Sequence, residues 1–82
     1  MLKSYIHVGL GNFSLQRLEL ILSDKIFDPV AFVDINIEES KKKLSNIKNI
    51  PADYSKKIFS SITEAQQIYK ADIAIIYVAS DE

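Results

Sequence analysis

The stretch from Val8 to Ser14 reads Val-Gly-Leu-Gly-Asn-Phe-Ser and holds both glycines of this 82-residue chain. Apolar residues at alternate positions predict a strand over 5–10, which runs into the glycine stretch. Leucine and isoleucine at helical spacing predict a helix over 14–23, directly after them. A glycine turn between a strand and a helix is the setting in which a Gly-x-Gly pattern can bind phosphate groups.

The remainder of the chain continues to alternate between strand and helix patterns. These patterns predict a second strand over 30–33 after a break at Asp28-Pro29, a second helix over 38–45, a loop over 49–55, a short strand over 57–59, a third helix from a capping box at 61–64 to about Tyr69, and a fourth strand over 73–78. Such alternation is typical of a parallel sheet with right-handed crossovers. We therefore predict one α/β domain over 1–82 with a Rossmann-like three-layer fold, about four parallel strands in the order 3-2-1-4 and about three helices. The sequence ends soon after the fourth strand, so we expect the first half of a dinucleotide-binding domain, apparently truncated there.

The glycine stretch has the residues that a pyrophosphate site requires. Gly9 would permit the tight turn, and Gly11, which has no Cβ, would let the pyrophosphate approach the backbone. Free N–H groups from about Asn12 onward would bind the phosphate oxygens. Ser14 occupies the position of the third glycine in the pattern, where a small side chain is needed for close packing of helix on strand.

Asp34 supplies the second element of the predicted site. It follows the second strand, and the Rossmann pattern places an acidic residue about 20 residues beyond the glycines, where it binds the adenosine ribose. A carboxylate there would repel a 2′-phosphate, because two like charges at ~4 Å repel by a few kcal/mol at intermediate dielectric. This predicts NAD rather than NADP as the cofactor, unless Lys41 or Lys42 compensates.

Two other interpretations of the glycines remain open. They could serve a tight turn alone, or the loop could bind S-adenosylmethionine. Methyltransferases usually carry an acid where this chain has His7 and a third glycine where it has Phe13, which disfavours the second interpretation. A P-loop is excluded, since the chain lacks Gly-Lys-Ser/Thr.

Composition narrows the function classes further. Ten basic and eleven acidic side chains leave no charge pattern typical of nucleic-acid binding, and the Lys41–Lys43 run fits a solvated helix face. The absence of cysteine excludes disulfides and cysteine-ligated zinc and is compatible with a cytoplasmic protein. We expect neither a signal peptide nor a membrane span, because the longest apolar run is only Ile73–Ala79. His7, the single histidine, is expected to be a partly buried strand residue, and no metal site is predicted.

Four segments, 5–14, 30–36, 58–65 and 71–80, together resemble the glucose-fructose oxidoreductase / inositol dehydrogenase / MocA family. The resemblance implies an NAD(P)-dependent oxidoreductase acting on sugars, cyclitols and related compounds, with a substrate domain after the nucleotide domain. It implies that the glycine stretch holds the pyrophosphate, that Asp34 binds the ribose, and that Ala79 and Ser80 border the cofactor. The predicted cofactor-binding residues are Gly9, Leu10, Gly11, Asn12, Phe13, Ser14, Asp34, Ile35, Asn36, Ala79 and Ser80.

The chain departs from the family after the fourth strand. Asp81 and Glu82 stand where a proline is common, and neither the Glu-Lys-Pro motif nor the later catalytic histidine occurs, so no catalytic residue can be assigned. The first hypothesis is therefore the nucleotide-binding portion of an oxidoreductase that transfers a hydride between NAD and a hydroxyl-bearing substrate. The alternatives are a non-catalytic dimeric nucleotide-binding module and an interaction protein that has lost its ligand. In each case we expect the apolar edge of the fourth strand to pair with a second copy or with a missing C-terminal half.

Overall fold

The chain folds into a parallel β-sheet covered by helices on both faces. The computed structural model describes residues 3–25 and 27–76. In chain order the elements are β1 Lys3–Val8, α1 Asn12–Asp24, β2 Phe27–Val33, α2 Ile37–Ser45, a 3₁₀ turn Tyr54–Lys56, β3 Ile58–Phe59, α3 Ile62–Ile68 and β4 Ile73–Ile76. The strands pair in parallel in the order β3-β2-β1-β4. The predicted fold class and strand order are confirmed.

Two hydrophobic clusters lie on opposite faces of the sheet. Alternate residues of a strand point to opposite faces, so Phe32 belongs to one cluster while Ala31 and Val33 belong to the other. The first cluster is covered by α1 and α2 and consists of Leu10, Leu18, Phe32, Leu44 and Ile58. The second is covered by α3 and consists of Ile6, Ala31, Val33 and Ala65. This division places the first two helices on one side of the sheet and the third helix on the other.

The break predicted at Asp28-Pro29 is wrong, because both residues lie inside β2. Pro29 is buried and pairs with Tyr5, whereas the next residue of β1, Ile6, pairs with Ala31. Val30 is therefore an extra residue on β2, which forms a bulge. A bulge interrupts the regular ladder, and a proline without an N–H is tolerated at such a point.

The other boundaries in the described residues lie within two residues of those predicted. The first strand ends at Val8 rather than at Leu10, which lies buried in the loop that follows, and α1 begins at Asn12. The serine half of the predicted capping box is present, since the Ser61 hydroxyl accepts a hydrogen bond from the Glu64 N–H at 3.2 Å. The last two residues of the predicted fourth strand, 77 and 78, lie outside the described residues. None of the helices in the described ranges is long and apolar enough to cross a membrane.

Candidate functional site

The glycine loop joins the carboxyl end of β1 to the first turn of α1. Its N–H at Gly9 donates to the Val33 carbonyl at 2.8 Å, which ties the loop to the end of β2. Gly9 has a φ of 91°, in the left-handed region that disfavours side chains. The backbone therefore requires glycine at this position, as the sequence predicted for the tight turn.

Gly11 differs from Gly9, because the fold does not need a glycine there. Its φ of −75° and ψ of 173° are open to any residue. Among the described residues, a Cβ built on Gly11 would meet no atom within 4 Å apart from those of its chain neighbours. Open space therefore lies beside the backbone at the point where α1 begins.

The N-terminus of α1 faces the same loop. Gly11 is the N-cap, and the first intrahelical bond runs from the Leu15 N–H to the Gly11 carbonyl at 2.9 Å. Within the described part of the chain, no side chain caps this end and no acidic residue lies in its first turn. The N–H groups of the first turn have no acceptor within the helix itself, and the helix dipole makes this end favourable for an anion.

Asp34 lies directly against the glycine loop, although 24 residues separate it from Leu10. One of its carboxylate oxygens accepts from the Leu10 N–H at 2.9 Å, and the other lies 3.5 Å from the Asn36 N–H. The Asp34 N–H donates to the Phe59 carbonyl at 3.0 Å, so β3 holds the carboxylate in place. The structure thus brings the predicted acid and the predicted glycines together at the carboxyl end of the sheet.

Two exposed apolar side chains flank this arrangement. Ile35, next to Asp34, is 90% exposed, and Phe13, in the first turn of α1, is 62% exposed. The Arg17 guanidinium lies 5.2 Å from the centre of the Phe13 ring. Phe13 and Ile35 therefore provide apolar surface at the start of α1 and next to Asp34, of the kind a planar ring can stack on.

Asn36 has a structural role that the sequence analysis did not predict. Its side-chain oxygen accepts from the Glu39 N–H at 3.0 Å, which makes it the N-cap of α2. Its backbone carbonyl accepts from the Ser40 hydroxyl at 2.6 Å. Only its N–H, directed at Asp34, takes part in the candidate site. The predicted residues Ala79 and Ser80 lie outside the described residues.

Lys43 contacts the loop, whereas Lys41 and Lys42 had been considered as the compensating cations. Its Nζ donates to the Leu10 carbonyl at 3.2 Å and lies 3.4 Å from Glu39. Lys41 instead pairs with Glu38 at 3.6 Å. The helical spacing of α2 does not separate these two lysines, because they lie on opposite flanks of its buried residues, Ser40 and Leu44.

A buried polar chain lies beneath the loop. The Ser14 hydroxyl lies 2.5 Å from the Gly9 carbonyl and 2.6 Å from Nε2 of His7, and Nδ1 of His7 lies 2.7 Å from the Tyr5 hydroxyl. His7 is fully buried, and burial lowers its pKa to about 4, so the ring is neutral near pH 7. The prediction of a strand histidine is confirmed, and Ser14 is buried as its packing role requires. The hydrogen bonds between them were not predicted, because they join strand and helix across the turn.

Two other kinds of site in the described residues, a metal centre and a cavity, have less support than the glycine loop. Within 3–25 and 27–76, no three histidine, aspartate or glutamate side chains are grouped closely enough to hold a metal ion. A cavity of about 390 Å³ lies on the α3 face at the start of β4, where Ile6, Tyr69 and Asp72 are among its lining residues. It lies away from the glycine loop and contains none of the predicted site residues.

Comparisons with protein-family models, with curated proteins and with solved structures found no significant match to this chain. Any assignment of function therefore depends on the geometry of the loop and on the residues that carry the family resemblance.

Proposed function

We propose that the chain binds a dinucleotide at the glycine loop, NAD in preference to NADP, as the nucleotide-binding portion of a cytoplasmic oxidoreductase. The observation that supports this most strongly is the open space at Gly11. The backbone conformation does not require glycine there, and the packing of residues 3–25 and 27–76 leaves room for a side chain. A close-approaching pyrophosphate is a physical reason for excluding a Cβ from this point.

The residues around that space match the chemistry of a dinucleotide. The first-turn N–H groups of α1 would donate to the pyrophosphate oxygens, assisted by the positive end of the helix. The Asp34 carboxylate has lone pairs beyond the Leu10 N–H and would accept from the ribose hydroxyls. The exposed Ile35 side chain would lie beside the adenine.

The same contacts support a preference for NAD. Asp34 is held at the loop by its own backbone bond to Phe59 and by the Leu10 N–H, so it would remain close to the ribose. A 2′-phosphate placed there would meet this carboxylate at short range. Lys43 lies on the Leu10 carbonyl and is also paired with Glu39, which lowers the net positive charge it offers.

When bound, NAD would supply the hydride chemistry, and the substrate would be sugar-like or another hydroxyl-bearing compound by the family resemblance. The described residues would bind and orient the cofactor. None of them is assigned a catalytic role.

The test is a titration of the ¹⁵N-labelled 82-residue chain with NAD⁺, NADP⁺, S-adenosylmethionine and ATP, followed by amide chemical shifts. We expect NAD⁺ to bind most tightly, with the largest shifts at Gly9, Gly11 and the first turn of α1. Tighter binding of S-adenosylmethionine would replace the dinucleotide assignment. Absence of binding by all four ligands at millimolar concentration would refute a nucleotide site.

A further inference from the structure

The polar chain under the loop has a defined direction. The Gly9 carbonyl can only accept a hydrogen bond, so the Ser14 hydroxyl must donate its single proton to it. Nε2 of His7 must then donate to Ser14, and Nδ1 of the neutral ring must accept from the Tyr5 hydroxyl. Each donor faces an acceptor, and this polar chain ends at the carbonyl of Gly9, the residue that makes the turn.

Tyr5 and Ser14, at the two ends of the buried polar chain, contact different parts of the fold. Tyr5 lies in the middle of β1 and packs edge-on against Phe27, within the sheet. Ser14 lies in the first turn of α1 and bonds directly to Gly9. The serine therefore connects the position of the α1 N-terminus to the geometry of the glycine loop, while the tyrosine donates to His7 from within the sheet.

We propose that Ser14 and His7 are positioning residues for the cofactor loop, which makes serine at the third position of the glycine pattern a requirement in this chain. They fix the Gly9 carbonyl and so align the backbone from Gly9 to the first turn of α1 with the ligand. This inference rests on the proposed function. Its consequence is that Ser14→Ala and Ser14→Gly, which restore the residues usual at this position, weaken binding. Either change leaves the Nε2–H of His7 buried without its acceptor.

The experiment compares Ser14→Ala with Tyr5→Phe, which removes a hydrogen bond from the same chain but leaves Gly9 held. The first readout is amide hydrogen exchange at Leu10, whose N–H bonds to Asp34, relative to Phe32, whose N–H bonds to Lys57 in the sheet. This ratio separates loop opening from global unfolding. The second readout is NADH affinity. For Ser14→Ala we expect both the relative exchange rate and the dissociation constant to rise about tenfold, the effect of losing one buried hydrogen bond. For Tyr5→Phe we expect both to stay within about twofold of wild type.

If Ser14→Ala does not fold, the triple variant Tyr5→Phe, His7→Leu, Ser14→Ala takes its place. Replacing the three side chains by apolar groups leaves only the Gly9 carbonyl without its donor, so this variant should fold and still lose protection of Leu10. Unchanged Leu10 protection and unchanged NADH affinity in either variant would overturn the proposal, as would tighter binding by Ser14→Gly. Wild-type protein that does not bind NADH would refute the proposed function instead, and the exchange ratio alone would then decide whether Ser14 and His7 hold the loop.

Discussion

Replacing Gly11 by alanine separates the needs of the fold from the needs of a ligand. The added methyl group would meet no atom of the described residues within 4 Å beyond its chain neighbours, and the backbone at φ −75° accepts it. Alanine is a poorer N-cap than glycine, which costs roughly 0.5–1 kcal/mol. The less flexible unfolded chain offsets this by roughly 0.4–1 kcal/mol. We therefore expect the free energy of unfolding to change by less than about 1 kcal/mol, which in a chain of this size is a Tm shift below about 8 °C.

Ligand binding should respond quite differently to the same methyl group. The methyl group would occupy the open space beside Gly11 in which we propose that the pyrophosphate lies, and would displace the pyrophosphate from one or two charge-assisted hydrogen bonds. Each such bond contributes about 1.5–3 kcal/mol, so NADH affinity should fall roughly ten- to a hundredfold.

The assay pairs urea unfolding with a fluorescence titration of NADH on wild type, Gly11→Ala and Ser23→Ala. Ser23 is exposed near the far end of α1 and serves as the control for a change in the helix alone. Equal NADH affinity in Gly11→Ala and wild type would refute the argument from the open space. A stability loss well above 1 kcal/mol would show that the fold itself requires Gly11.

Three further outcomes are expected. Asp34→Ala should weaken NAD binding about tenfold and reduce the difference in affinity between NAD and NADP. Asp28→Ala, at the other end of β2, should change neither affinity. A wild type that prefers NADP would contradict the role of Asp34. The pKa of His7 is about 4 in the folded chain and near 6.5 when unfolded, so the unfolded chain takes up its proton first and stability falls with pH below 6.5. Unfolding in urea should show a loss of about 2 kcal/mol at pH 5 relative to pH 7, and equal stability at both would contradict the buried neutral ring. The edge of β4 that faces away from β1 is unpaired among the described strands, and Ile73 and Ile76 are 41% and 57% exposed. We therefore expect the chain to dimerise through this edge, and light scattering across a dilution series should show a dimer. A stable monomer at micromolar concentration would refute the predicted dimer.

Local sequence patterns predicted the strands and helices, because these elements depend on the spacing of apolar residues along the chain. The alternation of strand and helix determined the sheet order, and that order placed Asp34 beside the glycines because both follow parallel strands. Pro29 departs from the local rule that proline breaks a strand. Its place in β2 depends on a shift of register against β1, which no pattern within either strand reveals.

The side-chain contacts of the site were harder to predict for a related reason. That Lys43 rather than Lys41 contacts the loop depends on which side of α2 packs against the sheet. The bonds among Tyr5, His7 and Ser14 depend on how closely α1 approaches β1, which only the folded turn determines. The sequence indicated a small residue at position 14 but did not indicate its hydrogen bonds.

The order of strands in the sheet also has a consequence for how the chain assembles. β1 lies between β2 and β4, its earliest and its latest partners in the sequence. Contact between Leu10 and Asp34 closes 24 residues, whereas contact between Ser4 and Asp72 closes 68. The longer closure costs about 1 kcal/mol more chain entropy, so β4 should join last. The glycine loop, Asp34 and Lys43 all belong to the part that forms first, so during synthesis this part of the candidate site can take shape before β4 has left the ribosome.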